Sequence, residues 1–283
     1  MASTFLQSLI LPQGPVDLAA YDTRATPAFD AGKKEGKEAR FAIGDELSDL
    51  QERLFAQGLT GGERRILLVL QGMDTSGKGG ILRHAVGLVD PQGVHITSFK
   101  APTPAERRHD FLWRVTRALP PPGMLGVFDR SHYEDVLIGR VRELAEPEEI
   151  ERRYDAINEF ERRLVDEGTT LVKCMLHISS DEQKKRLLAR LDDPTKLWKY
   201  NPGDVDERQL WPAYRRAYEI ALERTNTDHA RWLVVPGDRK WYGKLAVAQV
   251  LLETLRLMNL TWPPADFDIA TEKARLTEET RIP

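Results

Sequence analysis

"LLVLQGMDTSGKGG", residues 67–80, runs a continuous apolar stretch into a glycine-rich loop with one lysine. Gly72 is followed by four residues, then Gly77 and Lys78. Glycines reach backbone torsions that a residue with a Cβ reaches only under strain. Successive backbone N–H groups of the loop, Thr75, Ser76 and Gly79 included, can then turn inward as an anion nest. The helix that follows adds the positive end of its dipole, and Lys78 adds a full charge. A loop of this kind between a strand and a helix binds phosphate. It departs from the usual pattern at Gly79, which stands where a Ser or Thr ligates Mg²⁺. Asp74, inside the loop, is the natural substitute, because magnesium prefers oxygen ligands and keeps several waters.

Outward from the loop, strand and helix signals alternate. Apolar, β-branched runs occur at 66–70, 94–99, 124–128, 170–177 and 231–235. Helical patterns lie near 79–89, 105–118, 147–167, 180–192, 207–226 and 239–258. Continuous apolar strands separated by amphipathic helices indicate an α/β fold: a five-stranded parallel sheet with helices on both faces. Sites in such sheets form at the carboxyl ends of strands. Asp129 directly follows the run 124–128, so Asp74 and Asp129 are the expected metal ligands. Residues 1–29 read as irregular and 30–57 as helical, with Phe41, Leu47, Leu50 and Leu54 on one stripe. The chain reads as a single domain, 1–283, with an N-terminal helical extension over 1–62 and an extended tail over 261–283.

The 283 residues are 41% hydrophobic and 30% charged, with a formal net charge of -3. A chain of that balance does not collect polyanions by overall charge, so any anion site rests on local clustering. With no basic aromatic platform, nucleic acid is not an expected partner. One cysteine, Cys174, excludes a disulfide framework and favours a reducing compartment. The N-terminal stretch lacks a basic region, and no apolar run approaches the ~18 residues a membrane span needs. A cytoplasmic location without a membrane partner is therefore expected. The six histidines show no metal-ligand spacing, and His132 is expected to be structural or to hydrogen-bond substrate.

Cationic residues cluster in three places. Lys100 stands with Arg107, Arg108, Arg114 and Arg117; Arg130 follows Asp129; residues 184–200 are rich in Lys and Arg. In that last segment Lys185, Arg186 and Arg190 are read on one helical face, and Lys196 and Lys199 follow a proline. A cationic helix–loop–helix at about 184–208 is read as a lid that excludes water from a phosphoryl donor.

Four separated motifs then carry a resemblance. "LQGMDTSGKGG", "PQGVHITSFKAPTPAERRHDFLWR", "FDRSHYEDVL" and "DDPTKLWK" resemble, in order and spacing over roughly residues 30–260, the family-2 polyphosphate kinases. The resemblance implies a P-loop kinase fold with a helical lid. It also implies dependence on Mg²⁺, with Mn²⁺ as a substitute, and phosphoryl transfer between inorganic polyphosphate and nucleotides. By motif position, Asp74, Lys78, Asp129, Arg130 and the lid Arg190 are carried over as catalytic. Lys100, Glu106 and Arg114 match the second motif and are carried over as phosphate- or nucleotide-binding; Gly72, Thr75, Ser76, Gly77, Gly79, Glu134 and Arg186 are read as phosphate- or nucleotide-binding beside them. Members that phosphorylate ADP typically read Ser-Trp-Tyr-Asn after the aspartate–arginine pair. Here Ser131-His132-Tyr133-Glu134 stands there, which resembles members that take both AMP and ADP, although such members often have Asn in place of Asp129. A homo-oligomer, dimer or tetramer, is implied as well.

The chemistry expected is phosphoryl transfer from polyphosphate to AMP and ADP, giving ADP and ATP and reversible with nucleotide as donor. The attacking phosphate oxygen is ionised at neutral pH, so positioning and charge neutralisation suffice. An ATP-dependent nucleoside monophosphate kinase is the alternative that shares the fold; the phosphoryl donor discriminates the two.

Overall fold

The computed structural model describes residues 4–278. Five strands form one sheet: β1 (Arg65–Gln71), β2 (Val94–Ser98), β3 (Leu125–Asp129), β4 (Thr169–His177) and β5 (Trp232–Pro236). Their spatial order is β2-β3-β1-β4-β5, and every pairing is parallel. All five coincide with the apolar runs of the sequence to within a residue or so at each end. β1, the central strand, is buried on both faces, and for that reason it reads as continuously apolar. Its successive side chains point to opposite faces. Ile66, Leu68 and Leu70 enter one buried cluster, and Leu67 and Val69 enter the other.

In chain order, α1 (Phe5–Leu9), α2 (Lys33–Ala42) and α3 (Gly44–Leu59) precede the sheet. α4 (Lys78–His84) follows β1, and α5 (Trp113–Arg117) precedes β3. α6 (Ile138–Val141) and α7 (Pro147–Asp166) join β3 to β4. α8 (Ser180–Leu191), α9 (Gly203–Gln209) and α10 (Trp211–Arg224) lie between β4 and β5. α11 (Lys240–Leu257) and α12 (Ile269–Glu278) follow. α11 is apolar nearly all round, as a helix enclosed on several sides must be; α1, α2, α3 and α4 pack on it. Among the described residues no helix is long and apolar enough to cross a membrane.

Some expected elements differ. The single helix expected over 30–57 is two, broken at Ile43 and Gly44. The helix expected over 207–226 is split at Leu210, where the next helix begins with Pro212 in its first turn, a position that suits proline's fixed φ. The pattern at 105–118 yields only a short 3₁₀ turn and α5. Residues 1–29 are less irregular than expected: α1 packs on α11, and Leu11 N–H donates to the Trp232 carbonyl at the edge strand. The tail is corrected most. Residues 269–278 are helical where an extended segment was expected, while 279–283 lie outside the described residues.

Candidate active site

The phosphate-binding loop leaves the end of β1 and turns into α4. Gly72 has φ 151°, and a Cβ there would meet the Leu176 carbonyl at 2.7 Å, so only glycine lets the loop cross the end of β4. Gly77, at φ 114°, is the left-handed residue that starts α4, with Lys78 as the first helical residue. Thr75 is also left-handed, at φ 64°. α8 holds the loop's carbonyl side. Gln183 Nε2 donates to the Asp74 carbonyl at 3.0 Å, and Arg186 Nη1 donates to the carbonyls of Thr75 and Ser76 at 2.8 and 3.1 Å. With carbonyls committed to α8, the amide side of the loop is left for an anion.

Arg186, expected to bind phosphate, is committed to the protein instead. Its remaining N–H groups donate to Glu182 and to the carbonyls of Gly237 and Asp238, so all five donors are engaged within the protein. Arg186 lines the cleft but acts by shaping the loop. Gly72 likewise acts through the backbone path.

β3 runs beside β1 with Asp129 opposite Leu70, so the second carboxylate stands at the mouth of the loop. Arg130 follows at φ 64°, a left-handed torsion costing about 1–3 kcal/mol in a non-glycine residue, and strain of this kind gathers at functional sites. A cleft of about 560 Å³ is lined by Asp74, Lys78, Asp129, Arg130 and Arg190 together. Thr75, Ser76, Gly77, Gly79 and Lys100 line it too. Lys78 Nζ donates to the Gly72 carbonyl at 2.9 Å. Burial, and next the Arg130 guanidinium, push the Lys78 ammonium below its ordinary value, against the opposing pull of Asp129, Glu134 and Asp74. From the end of α8, Arg190 Nη1 reaches Asp74 Oδ2 at 3.3 Å and Asp204 Oδ2 at 3.5 Å.

The far wall contains cations that sequence reasoning missed: Arg83 and His84 on α4, Lys240 and Lys244 on α11. The signal was available, since Lys240 and Lys244 are one turn apart on the helix after β5. Burial lowers both, followed by Arg186 for Lys240 and Arg40 for Lys244. Burial, then Lys244, Arg40 and Arg83, lowers His84. Beyond burial, neighbouring cations lower one another, so positive charge is concentrated along this wall. Lys196 and Lys199, after α8, also line the cleft.

Other expected residues lie elsewhere. Lys185 is not with Arg186 and Arg190; its side chain is 79% exposed and pairs with Glu182 at 3.8 Å. Glu106 accepts the Thr103 N–H at 2.7 Å and caps its own turn. Arg114 donates to the Lys100 carbonyl at 2.8 Å, meets Asp135 at 3.6 Å and lies over the Phe99 ring. It clamps the segment carrying Lys100 to the turn after β3. His132 is fully buried, 3.3 Å from Glu161, and is structural. Glu134 is half-buried; burial raises its carboxyl pKa against the pull of Arg130 and Lys78.

Asp74 and Asp129 fit a hard divalent cation by donor chemistry. Among the described residues no group of three or more His, Cys, Asp or Glu side chains converges on a metal position. A two-carboxylate set suits Mg²⁺, which completes its shell with water and substrate phosphates.

Comparisons with known proteins agree with this geometry. The profile of the family described as "Polyphosphate kinase 2 (PPK2)" matches residues 30–262. The chain is 43% identical over 264 residues to "AMP/ADP-polyphosphate phosphotransferase" of Meiothermus ruber, covering 93% of this chain and 97% of that protein. It is 40% identical over 260 residues to "ADP-polyphosphate phosphotransferase" of Rhodopseudomonas palustris, covering 88% of each. Among solved structures, polyphosphate kinase 2 from Arthrobacter aurescens TC1 superposes with a TM-score of 0.95 at 53% identity, covering 98% of both chains.

Proposed function

The chain belongs to the polyphosphate kinase 2 family, and from that premise we propose that this polyphosphate kinase phosphorylates AMP and ADP from inorganic polyphosphate, reversibly. The observation that carries the reading is the cleft itself. A phosphate-binding loop and paired carboxylates face cations contributed by α4, α8, α11, the lid and the segment after β2. A nucleoside triphosphate does not need so many; a chain carrying about one charge per phosphate does. The relatives named for AMP/ADP and for ADP support the acceptor class.

In this reading the loop amides and Lys78 hold the phosphates at the transfer point. Arg130 and Arg190 neutralise charge on the transferring group, as arginine fingers do. Arg190 is within reach because the lid already brings it to Asp74. Asp74 and Asp129 hold the divalent ion, Mg²⁺ with Mn²⁺ as substitute; bound there, it supplies neutralisation of phosphate oxygens. Lys240, Lys244, Arg83 and Lys100 line the path of the polymer. No protein nucleophile or strong base is required, because the acceptor phosphate is already ionised. The same proposal has one P-loop kinase domain with residues 1–62 as extension and 184–208 as lid, acting as a cytoplasmic homo-oligomer.

The test is ATP formation by the purified protein with Mg²⁺, polyphosphate and either AMP or ADP, no other donor being present. ATP from both, with transient ADP from AMP, is expected. No product from either would overturn the reading.

A further inference from the structure

From Ile66 onward β1 is apolar until its last residue, Gln71, which is fully buried. A buried amide left unpaired is destabilising, so its partners are informative. Its hydrogen-bond-consistent orientation puts Oε1 at 3.2 Å from both Ser131 N and Ser131 Oγ, and Nε2 at 3.1 Å from Glu134 Oε1. The buried Tyr218 hydroxyl lies 3.5 Å from the Nε2 end of the same amide. The opposite side of this turn is held independently, by Tyr133 and His132 on Glu161. The next carboxylate, Asp135, is taken by Arg114 and Arg153 at 3.6 and 3.8 Å. Glu134 is thus held by Gln71, which sits between Leu70, whose carbonyl accepts the Arg130 N–H, and Gly72, whose carbonyl accepts from Lys78 Nζ, and its charge acts on both of these cations, assigned above to phosphate.

We infer that Gln71 is a positioning residue for acceptor choice: by fixing the Glu134 carboxylate beside Arg130 and Lys78, it discriminates nucleoside monophosphate from diphosphate. This rests on the functional reading just given. The physical reason is charge. A diphosphate brings one more negative charge than a monophosphate. A carboxylate fixed near Lys78 and Arg130, the cations of the transfer point where the acceptor phosphate also arrives, offsets part of their charge and repels the extra one. A carboxylate free to swing away discriminates less.

The experiment is calorimetric titration of AMP and of ADP into wild type, Gln71→Met and Gln71→Glu, with turnover from polyphosphate measured in parallel. Gln71→Met removes the amide at similar volume. Gln71→Glu keeps an oxygen toward Ser131 but loses the donor to Glu134. Both should shift the AMP:ADP affinity ratio about tenfold toward ADP, the value of one hydrogen bond to a charged group, while the KM for polyphosphate stays unchanged. In a Glu134→Ala background the Gln71 substitutions should have no further effect on the ratio, which a merely structural role would not produce. A ratio unchanged within about twofold in folded variants overturns the inference, as does a shift that persists without Glu134. Failure of the functional reading shows separately, as absence of ATP formation by wild type.

Discussion

Lys173 is an ammonium with no exposed surface, in the middle of β4. Its Nζ donates to Glu161 Oε2 at 2.7 Å, to the Thr225 carbonyl at 2.7 Å and to the Tyr133 hydroxyl at 3.0 Å. Tyr133 in turn donates to Glu161 Oε1 at 2.7 Å. The cluster joins the turn after β3, which follows Asp129 and Arg130, to α7, β4 and the end of α10. Lys173→Met removes one charge and strands the other. Breaking one partner of a buried pair costs about 3–5 kcal/mol, most of it from the uncompensated charge left behind. Lowering of the melting temperature by about 10 °C is the order expected for a chain of this size. Replacing both partners, Lys173→Met with Glu161→Leu, should cost less than the sum of the single changes, because no buried charge remains. Urea denaturation gives the four free energies of the cycle. The acid side supplies a second check. Burial alone would raise the Glu161 carboxyl, but Lys173 and His132 outweigh it and hold it below its ordinary value. With a depressed folded pKa the unfolded chain binds the extra proton, so stability is present at neutral pH and is lost as pH falls through the folded value. Lys173→Met should lose that contribution. A single-mutant cost below about 1 kcal/mol, or strict additivity of the pair, would refute the reasoning.

Lys78→Ala should lower kcat by about 10³-fold or more with the fold retained by circular dichroism, and substantial remaining turnover would dismiss the loop assignment. Asp129→Ala should abolish the response of activity to added Mg²⁺; a normal metal titration would clear Asp129 of that role. Burial pushes the Cys174 thiol up to about 12, so a thiol reagent at neutral pH should label the chain only in denaturant. Lys240→Ala with Lys244→Ala should weaken polyphosphate binding and flatten its salt dependence, read as KM against ionic strength, while KM for AMP is little changed.

Local chemistry wrote much of this protein plainly. The strands were legible because apolar, β-branched residues dominate them, with polar side chains such as Gln71 and Lys173 buried among these, and the loop from Gly72 to Lys78 because its backbone path demands glycine. Asp129 was legible because it ends an apolar run. Helix ends were less so: the helix read over 30–57 breaks at Ile43, and the helix at 269–278 buries no side chain and starts from an Asp268 cap, neither of which apolar periodicity registers. Arg186 and Arg190 looked alike as two lid arginines, yet one has its five donors on protein acceptors and the other reaches a carboxylate of the cleft. Likewise Arg114 and Glu106 carried charge that went to neighbouring loops, and Lys240 and Lys244, unremarkable in sequence, line the cleft. The sequence by itself determined which elements form and where the phosphate loop lies. Only the tertiary structure decided what each charged or amide side chain touches. The reason is that Gln71 meets Ser131 and Glu134, and Lys173 meets Glu161 and Tyr133, across strand ends made adjacent by the order β2-β3-β1-β4-β5, a long-range arrangement no local pattern encodes.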